Sequence, residues 1–413
     1  MPSPATPNQR IIVQKFGGTS VADPDRIRAV ADHVVRTKRQ GYQVVVVVSA
    51  MGKTTDELVR LAHDVAQQPA GREMDMLLTA GERISMALLC MAVEDLGEPA
   101  VSFTGSQAGI LTDPVHEKAK ILEIRPERIR QALDSGAVAV VAGFQGVSTE
   151  HEVTTLGRGG SDTTAVALAA AFDAEVCEIY TDVSGVFTAD PRIEPRARRL
   201  SHVSFEEMLE MAATGGRVLA LRSVEFARNH HVPMHVRSAF TWEPGTWVTD
   251  EESTMEDAII SGVTHDTSEA KVTVEGVPDR PGIAAHVFRT LAAENVNVDM
   301  IVQNVSTGGH ADISFTMPQS DLAKTMVAID KIVSDLGAAG SRHDTKIGRV
   351  SLVGAGMKTN PGVAARMFQV LADEGINIEM ISTSTIRVSC VVAESDVERA
   401  VRALHAAFEL EQA

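Results

Sequence analysis

Aromatic side chains are scarce in this chain: Phe, Trp and Tyr make up 4% of its 413 residues, with two tryptophans and two tyrosines. That excludes the stacking platforms on which proteins bind single-stranded nucleic acid. Basic charge is short too. Lys and Arg number 38 against 55 Asp and Glu, a formal net charge of −17, and no basic block stands out. No nucleic-acid or anionic-membrane partner is expected, so an anionic substrate has to be held by a few locally placed cations. Three cysteines, Cys90, Cys177 and Cys390, stand isolated in apolar surroundings with no Cys-x-x-Cys pair. They read as buried reduced thiols of a cytoplasmic protein. Residues 1–10 are rich in Pro, Ser and Asn without an apolar centre, so they read as a disordered tail and not as a secretory signal. No apolar run approaches the roughly 20 residues that span a bilayer.

What is present is alternation of strand and helix signals. Ile11 to Phe16 reads as a buried strand followed at once by Gly17-Gly18-Thr19-Ser20. Asp23-Pro24 opens a helix that ends near Gly41, with Pro at its first position. Gln43 to Ser49 holds five consecutive valines, a strand buried on both faces as in a parallel sheet. Helices are expected over about 55–67 and 72–96, and strands near 100–103, 137–144 and 175–180. Such alternation predicts an α/β fold, a three-layer sandwich with a mostly parallel sheet. Ligands of such sheets sit outside the carboxyl ends of the strands. Lys15 to Gly18, Ser49 to Gly52, Gly143 to Gly146 and Thr181-Asp182 should therefore share one edge.

The stretch Thr154 to Ala171 joins them there. A polar, glycine-rich half, Gly157-Arg158-Gly159-Gly160-Ser161-Asp162, runs into an Ala/Leu/Val helix. Ser161 or Asp162 is expected to cap that helix and leave amides aimed at an anion. An ordinary αβ turn with a good cap would look the same locally.

Around residues 240–257 the character changes. Glu243-Pro244-Gly245 and Asp250-Glu251-Glu252-Ser253 read as an exposed acidic connection. The expected division is a tail at 1–10, one domain at 11–245, a linker at 246–264, and two further domains at 265–340 and 341–413. The last two are an internal repeat. Pro281-Gly282-Ile283-Ala284-Ala285 matches Pro361-Gly362-Val363-Ala364-Ala365, and Asn297-Val298-Asp299-Met300-Ile301 matches Asn377-Ile378-Glu379-Met380-Ile381. Each copy reads as βαββαβ, a small sheet with helices on one face. The Pro-Gly helix start and the Asn turn serve packing, or frame a small-ligand site between paired copies.

Several motifs fail. Gly52-Lys53-Thr54 ends like a P-loop, but Val47 stands where that loop needs Gly. Gly354-Ala355-Gly356 begins like a dinucleotide fingerprint, but Thr359 replaces its third Gly. His231 and His235 have the i, i+4 spacing of a metal pair, yet Pro233 breaks the helix that spacing requires. No metal ligand is assigned.

Four segments together resemble the aspartokinases of the amino-acid kinase superfamily: Lys15 to Ser20, Thr79-Ala80-Gly81-Glu82-Arg83, Gly157 to Asp162, and Thr181 to Arg192. The two repeats resemble that family's tandem ACT regulatory domains, which gives the repeats a ferredoxin-like fold. The resemblance covers nearly everything after Arg10. No homoserine-dehydrogenase domain follows, so the likeness is to the monofunctional type regulated by lysine and threonine together.

The resemblance implies transfer of a phosphoryl group from MgATP to the β-carboxylate of L-aspartate. It assigns Lys15, Asp162 and Arg217 to catalysis. Ser49, Thr54, Glu82, Arg158, Gly159, Gly160 and Ser161 fall to the amino acid. Lys15, Phe16, Gly17, Gly18, Ser161, Thr181, Asp182, Phe187, Thr188, Ala189, Asp190, Pro191, Arg192 and Arg217 fall to the nucleotide. The chemistry agrees. Nucleophile and donor are both anions, so catalysis is positioning and charge neutralisation. Arg158 suits a bidentate grip on a carboxylate, and Glu82 suits the ammonium. Effector positions are Asp279, Arg280, Pro281, Gly282, Ile283, Ala284, Asn297, Val298, Asp299 and Gln303 in the first repeat. In the second they are Val363, Ala364, Asn377, Ile378, Glu379 and Ser384. Paired ACT domains imply a homodimer or larger assembly, and Met255 offers a start for a shorter regulatory chain of the same sequence. Two positions depart from the family: Arg217 stands where a Lys is usual, and Thr385 where a Glu is common. Two other readings remain open: a different amino-acid kinase acting on glutamate or acetylglutamate, and a non-catalytic amino-acid sensor.

Overall fold

The computed structural model describes residues 10–250, 259–305 and 308–412. The expected tail up to Gln9, the acidic residues Glu251 to Ser253 and Met255 lie outside the described residues. The chain divides into two units. One comprises Met1–Val186, Arg199–Ala213 and Arg217–Met255, the other Phe187–Arg198, Thr214–Gly216 and Glu256–Ala413.

The first unit is built on its β-branched runs. In chain order it contains β1 (Ile11–Phe16), α1 (Pro24–Arg39), β2 (Gln43–Val48), α2 (Thr54–Val65), α3 (Gly71–Asp95), β3 (Ala100–Phe103), β4 (Ile110–Thr112) and β5 (Ile121–Ile124). Then come α4 (Glu127–Asp134), β6 (Val138–Ala142), β7 (Gln145–Ser148), β8 (Val153–Thr155), α5 (Gly160–Phe172) and β9 (Val176–Thr181). After them run β10 (His202–Ser204), α6 (Phe205–Ala213), α7 (Leu221–Asn229), β11 (Met234–Ser238) and β12 (Thr246–Thr249). Eight strands form one sheet in the order β10-β12-β11-β9-β1-β2-β6-β3. Every neighbouring pair is parallel except β11 with β12. The central strands are buried on both faces, as an unbroken valine run requires.

Helices α1 and α3 close one face over Ile12, Phe16, Val44, Val46 and Val48, while α5 packs on the other against β1, β2 and β9. This is the expected three-layer arrangement. Asp23 caps α1 through its side chain, accepting from the Arg26 amide at 2.9 Å. A second sheet, β5-β4-β7-β8, completes the unit. Two expectations change here. Strand β12 belongs to the main sheet, so the unit runs beyond residue 245. Helix α3 is long and apolar enough, by length and composition, to cross a bilayer, but one of its faces is buried in this core.

Polar groups are threaded through the α1 face. Gln14 donates to Glu178 at 2.8 Å, Tyr180 donates to the same carboxylate at 2.9 Å, and Arg237 meets it at 3.0 Å. His33 lies 2.7 Å from the Tyr180 hydroxyl and stacks on Trp242 at 4.0 Å. Burial alone would raise the Glu178 carboxyl. Hydrogen bonds from His235 and Gln14 and the Arg237 charge outweigh it and hold the group at about 2. Burial lowers His33 to about 4, which Glu178 only partly opposes. Both groups bind fewer protons folded than unfolded, His33 between pH 6.5 and 4 and Glu178 between 4.5 and 2. Stability of this unit is therefore expected to fall with pH through those windows, by about 3 kcal/mol for each group. A pH series of thermal melts checks this: His33→Gln should flatten the slope between pH 6.5 and 4, and an unchanged slope contradicts it.

The second unit holds β13 (Gly262–Asp266), β14 (Glu269–Pro278), α8 (Ile283–Ala293), β15 (Ile301–Val305), β16 (His310–Pro318), α9 (Leu322–Leu336) and β17 (Gly340–Asp344). It continues with β18 (Ile347–Val353), α10 (Val363–Asp373), β19 (Met380–Thr383), β20 (Arg387–Ala393) and α11 (Val397–Ala407). The first repeat is βαββαβ, with sheet order β15-β16-β14-β17, and its last strand carries it to Asp344 instead of residue 340. The second repeat differs from the expected pattern. Its sheet is β13-β18-β20-β19, so the edge position is filled by β13 from the expected linker, antiparallel to β18. Among the described residues no strand follows α11, and β13 covers the edge of β18 that would otherwise stay open.

Candidate active site

Four strand ends meet on one side of the main sheet. The Gly17 amide donates to the Tyr180 carbonyl at 3.1 Å, the Ser49 amide to Phe16 at 3.1 Å, and the Gly143 amide to Val48 at 3.0 Å. These bonds tie the ends of β9, β1, β2 and β6 into one rim, the side on which open α/β sheets bind their ligands. Lys15 stands at the end of β1, on the face opposite Gln14 and Phe16. Its ammonium lies 2.6 Å from Asp162, both side chains 11% exposed. Asp162 Oδ1 has no aligned donor, so the contact is one of charge.

Asp162 belongs to the first turn of α5. The expected cap is corrected here. Gly159 is the N-cap residue at φ 75, no side chain caps the helix, and a Cβ on Gly159 would stand 2.3 Å from that of Ala220. Only Gly supplies both the left-handed backbone and the clearance. With no side-chain cap required of it, Asp162 pairs with Lys15, and the Gly160 amide is taken by the Gly157 carbonyl at 2.9 Å. Ser161 lies against the end of β6, where a Cβ on Gly143 would come within 2.7 Å of its Oγ.

Glu82 reaches the same rim from α3. It is 3% exposed, and its Oε1 accepts from the Ala50 amide at 3.2 Å. Its Oε2 is buried without a partner. Burial raises this carboxyl to about 7, offset in part by backbone hydrogen bonds. A buried acid with one open oxygen suits a cationic ligand group. Ser49 and Thr54 are half-buried at the end of β2 and the start of α2. Arg158 is exposed, and it stands four residues before Asp162, so the chain holds their Cα atoms within about 14 Å.

The other expected residues are distributed between the units. Phe16 is buried, and the Gly52 amide donates to Gly18 at 3.0 Å. Thr181 donates to Asp182 at 3.1 Å at the exposed end of β9. The chain passes from the first unit to the second between Val186 and Phe187. Thr188, 1% exposed, lies 2.9 Å from His405 of α11, and Ala189 is part of the second repeat's core. Arg192 is exposed and chelates Asp190 at 2.7 and 3.0 Å, next to Pro191. Arg217 is exposed in the first unit.

The effector positions show the same burial in both copies: 291–300 and 371–380 follow an identical pattern. Asp279, Arg280, Pro281, Gly282, Asn297, Gln303, Asn377 and Ser384 are exposed. Asp299 and Glu379 pair with cations of the other repeat, Asp299 with Arg349 and Glu379 with Lys271. A cavity of about 600 Å³ adjoins the second Pro-Gly turn, lined among others by Asn360, Pro361, Val363, Arg366 and Phe408.

A family model described as the amino acid kinase family matches residues 10–238, and one described as ACT domain matches 272–332 and 350–408. The aspartokinase of Mycolicibacterium smegmatis is 57% identical over 405 residues, covering 97% of this chain and 96% of that protein. The chain belongs to the aspartokinases. The aspartokinase of Corynebacterium glutamicum is 55% identical at the same coverage. The crystal structure of Escherichia coli aspartokinase III in complex with aspartate and ADP superposes with a TM-score of 0.82 at 26% identity, over 96% of this chain and 99% of that one. The same enzyme with lysine and aspartate gives 0.73. As an aspartokinase, the chain is an enzyme of the kinase class with ACT regulatory domains.

Sequence reasoning missed three contributors to this aspartokinase site. The Ala50 amide that fixes Glu82, the contact of Ser161 with Gly143, and the brace of the Arg158 loop described below all join residues far apart in the chain. Buried polar residues inside apolar elements, such as Asp75 in α3 and Gln14 in β1, were the available signal.

Proposed function

We propose that the chain transfers the γ-phosphoryl group of MgATP to the β-carboxylate of L-aspartate, giving 4-phospho-L-aspartate and ADP in the cytoplasm. One observation carries the reading: a buried cation–carboxylate pair, Lys15–Asp162, shares a strand-end rim with a buried acid, Glu82, that keeps one oxygen unpaired. A β-carboxylate oxygen attacks the γ-phosphorus, and the bond to the bridging oxygen breaks as ADP leaves. Lys15 neutralises the phosphoryl group in flight, assisted by Arg217. Glu82 takes the substrate ammonium, and Arg158 grips a carboxylate. Ser161 and the glycine backbone at Gly159 and Gly160 steady the acceptor, with Ser49 and Thr54 lining it. Gly17, Gly18, Thr181 and Asp182 serve the nucleotide, together with the segment Phe187 to Arg192.

Among the described residues no group of three His, Cys, Asp or Glu side chains could hold a metal. Mg²⁺ would arrive on the nucleotide's phosphates and take one protein carboxylate at this rim. Asp162, beside Lys15 at the rim, would be that carboxylate. When bound, the ion supplies charge neutralisation at the phosphates.

Lysine and threonine are the proposed effectors, bound between paired ACT domains in a homodimer or larger assembly and biasing the kinase toward an inactive state. A shorter regulatory chain from Met255 is compatible with this. The complexes of E. coli aspartokinase III with aspartate, ADP and lysine support the reading. The test is ADP release with aspartate, glutamate, acetylglutamate and UMP as acceptors, with and without lysine plus threonine. Turnover is expected with aspartate alone and should fall when both effectors are present. Turnover with glutamate or acetylglutamate in its place contradicts the substrate, and none with any acceptor favours an amino-acid sensor.

A further inference from the structure

Helix α3 carries Asp75, Thr79 and Glu82 at i, i+4 and i+7, one face of a helix, and all three are buried. The Thr79 carbonyl accepts from Gln145, and Glu82 faces the rim. Asp75, at 0% exposure, plays no part in the chemistry described above. It accepts from the Thr155 hydroxyl at 2.5 Å, from the Glu117 amide at 3.1 Å, and lies 2.7 Å from His116 Nδ1. A buried carboxylate needs that many donors to offset its lost hydration. An acceptor-only group is also the one side chain type that satisfies a hydroxyl, an amide and a ring N–H together.

What Asp75 gathers is the support of Arg158. Thr155 ends β8, three residues before Arg158. Glu117 holds a left-handed backbone, φ 64, which a non-glycine residue adopts only when its surroundings impose it. Its carbonyl lies so close to Gly157 that a Cβ there would approach to 2.9 Å. From the far side, Arg222 donates to the Leu156 carbonyl at 3.0 Å and to the Ala119 carbonyl at 2.9 Å. The backbone leading into Arg158 is thus clamped between two loops, and the clamp is anchored on α3. Seven residues along that helix, about 10 Å at 1.5 Å per residue, stands Glu82.

We propose that Asp75 is a positioning residue for the amino-acid substrate: it ties the Arg158 loop to the helix that carries Glu82, and so fixes the spacing between the cation and the anion that grip the substrate. The proposal rests on the reading that Arg158 and Glu82 hold aspartate. It assigns no contact between Asp75 and substrate. One rigid helix sets both ends of the recognition pair, so loosening the anchor displaces Arg158 alone.

The test uses the full-length enzyme and measures KM for aspartate, KM for ATP and kcat separately, with a thermal melt for each variant. Asp75→Asn replaces one of the two accepting oxygens with an amide donor, set against up to two of these three donors. It is expected to raise KM for aspartate by about tenfold or more, as displacements near 1 Å do, with KM for ATP within about twofold. Thr155→Val removes one bond and should move KM for aspartate the same way by a smaller factor, about threefold by the same reasoning. It decides the matter if Asp75→Asn does not fold. A lowered melting temperature with KM for aspartate unchanged in both variants overturns the proposal, since a purely structural role predicts that. Arg158→Ala is measured alongside. An unchanged KM for aspartate in that variant overturns the underlying reading of Arg158 instead.

Discussion

Replacing Lys15 with alanine is expected to lower kcat by about a thousandfold, the scale set by removing one preorganised charge from a transition state. The expectation follows from where the ammonium is kept. It lies 2.6 Å from Asp162 with 11% of its side chain exposed, at the end of a central strand, so solvent screens it little. No other cation is buried at this rim among the described residues; Arg158 and Arg217 are both exposed. The stability of the variant should fall as well, by about 3 kcal/mol, because Asp162 is left buried without its partner. The two effects separate in the double variant Lys15→Ala/Asp162→Ala. Removing both charges should recover much of the stability and none of the turnover. KM for aspartate should change little in the single variant, since Glu82 and Arg158 remain. Single-turnover kinetics and thermal melts on the same preparations measure both quantities. A kcat within tenfold of the parent would show that Lys15 is only structural.

Glu82→Gln is expected to make the ligand-free protein more stable at pH 8 and the enzyme much worse. The Glu82 carboxyl ordinarily titrates near 4.5, and burial raises it to about 7 in the folded protein. Between those values the folded state binds more protons than the unfolded one. This group's contribution is therefore most favourable below pH 4.5 and declines until about pH 7, by about 3 kcal/mol in all. Gln is neutral throughout and avoids that decline, so the gain at pH 8 is up to about 3 kcal/mol. Function moves the other way. The substrate ammonium favours ionised Glu82, so below pH 7 binding has to expel a proton. KM for aspartate should rise by up to about tenfold per pH unit below 7, and kcat/KM for ATP should show no matching inflection. In Glu82→Gln the inflection should vanish and kcat/KM for aspartate should drop by about a hundredfold, the cost of an unpaired buried ion. A wild-type profile flat through pH 7, or a variant with the parent's KM for aspartate, contradicts the assignment.

Glu82 is also a useful measure of what the sequence disclosed. Its position in Thr79-Ala80-Gly81-Glu82-Arg83 was legible, but its burial and its free oxygen were not. They depend on Ala50, 32 residues away. The fold was legible where local pattern and burial agree. Strand β1 matches Ile11 to Phe16, and the valines of β2 are buried on both faces. Asp23-Pro24 starts α1 with a side-chain cap. The repeat was legible because the same residues recur at the same turns. Illegible were features decided by distant partners. Strand β13 carries no periodicity of its own and is a strand because β18 offers an open edge. Asp190-Pro191-Arg192 reads locally as a plain turn, yet the adjoining Thr188 and Ala189 are buried with α11 more than 200 residues later. The α5 cap failed for the same reason: Asp162 has a better partner in Lys15, 147 residues away in sequence.

The central claim is that this rim directs a carboxylate, specifically the side-chain one, onto the γ-phosphorus. Trapping the product with hydroxylamine tests it most directly, because an acyl phosphate gives a hydroxamate at the carbon that was phosphorylated. With aspartate and MgATP, the expected result is the β-hydroxamate of aspartate, formed in equal amount to ADP. ADP released without hydroxamate, or a hydroxamate at the α-carboxyl, would contradict the account.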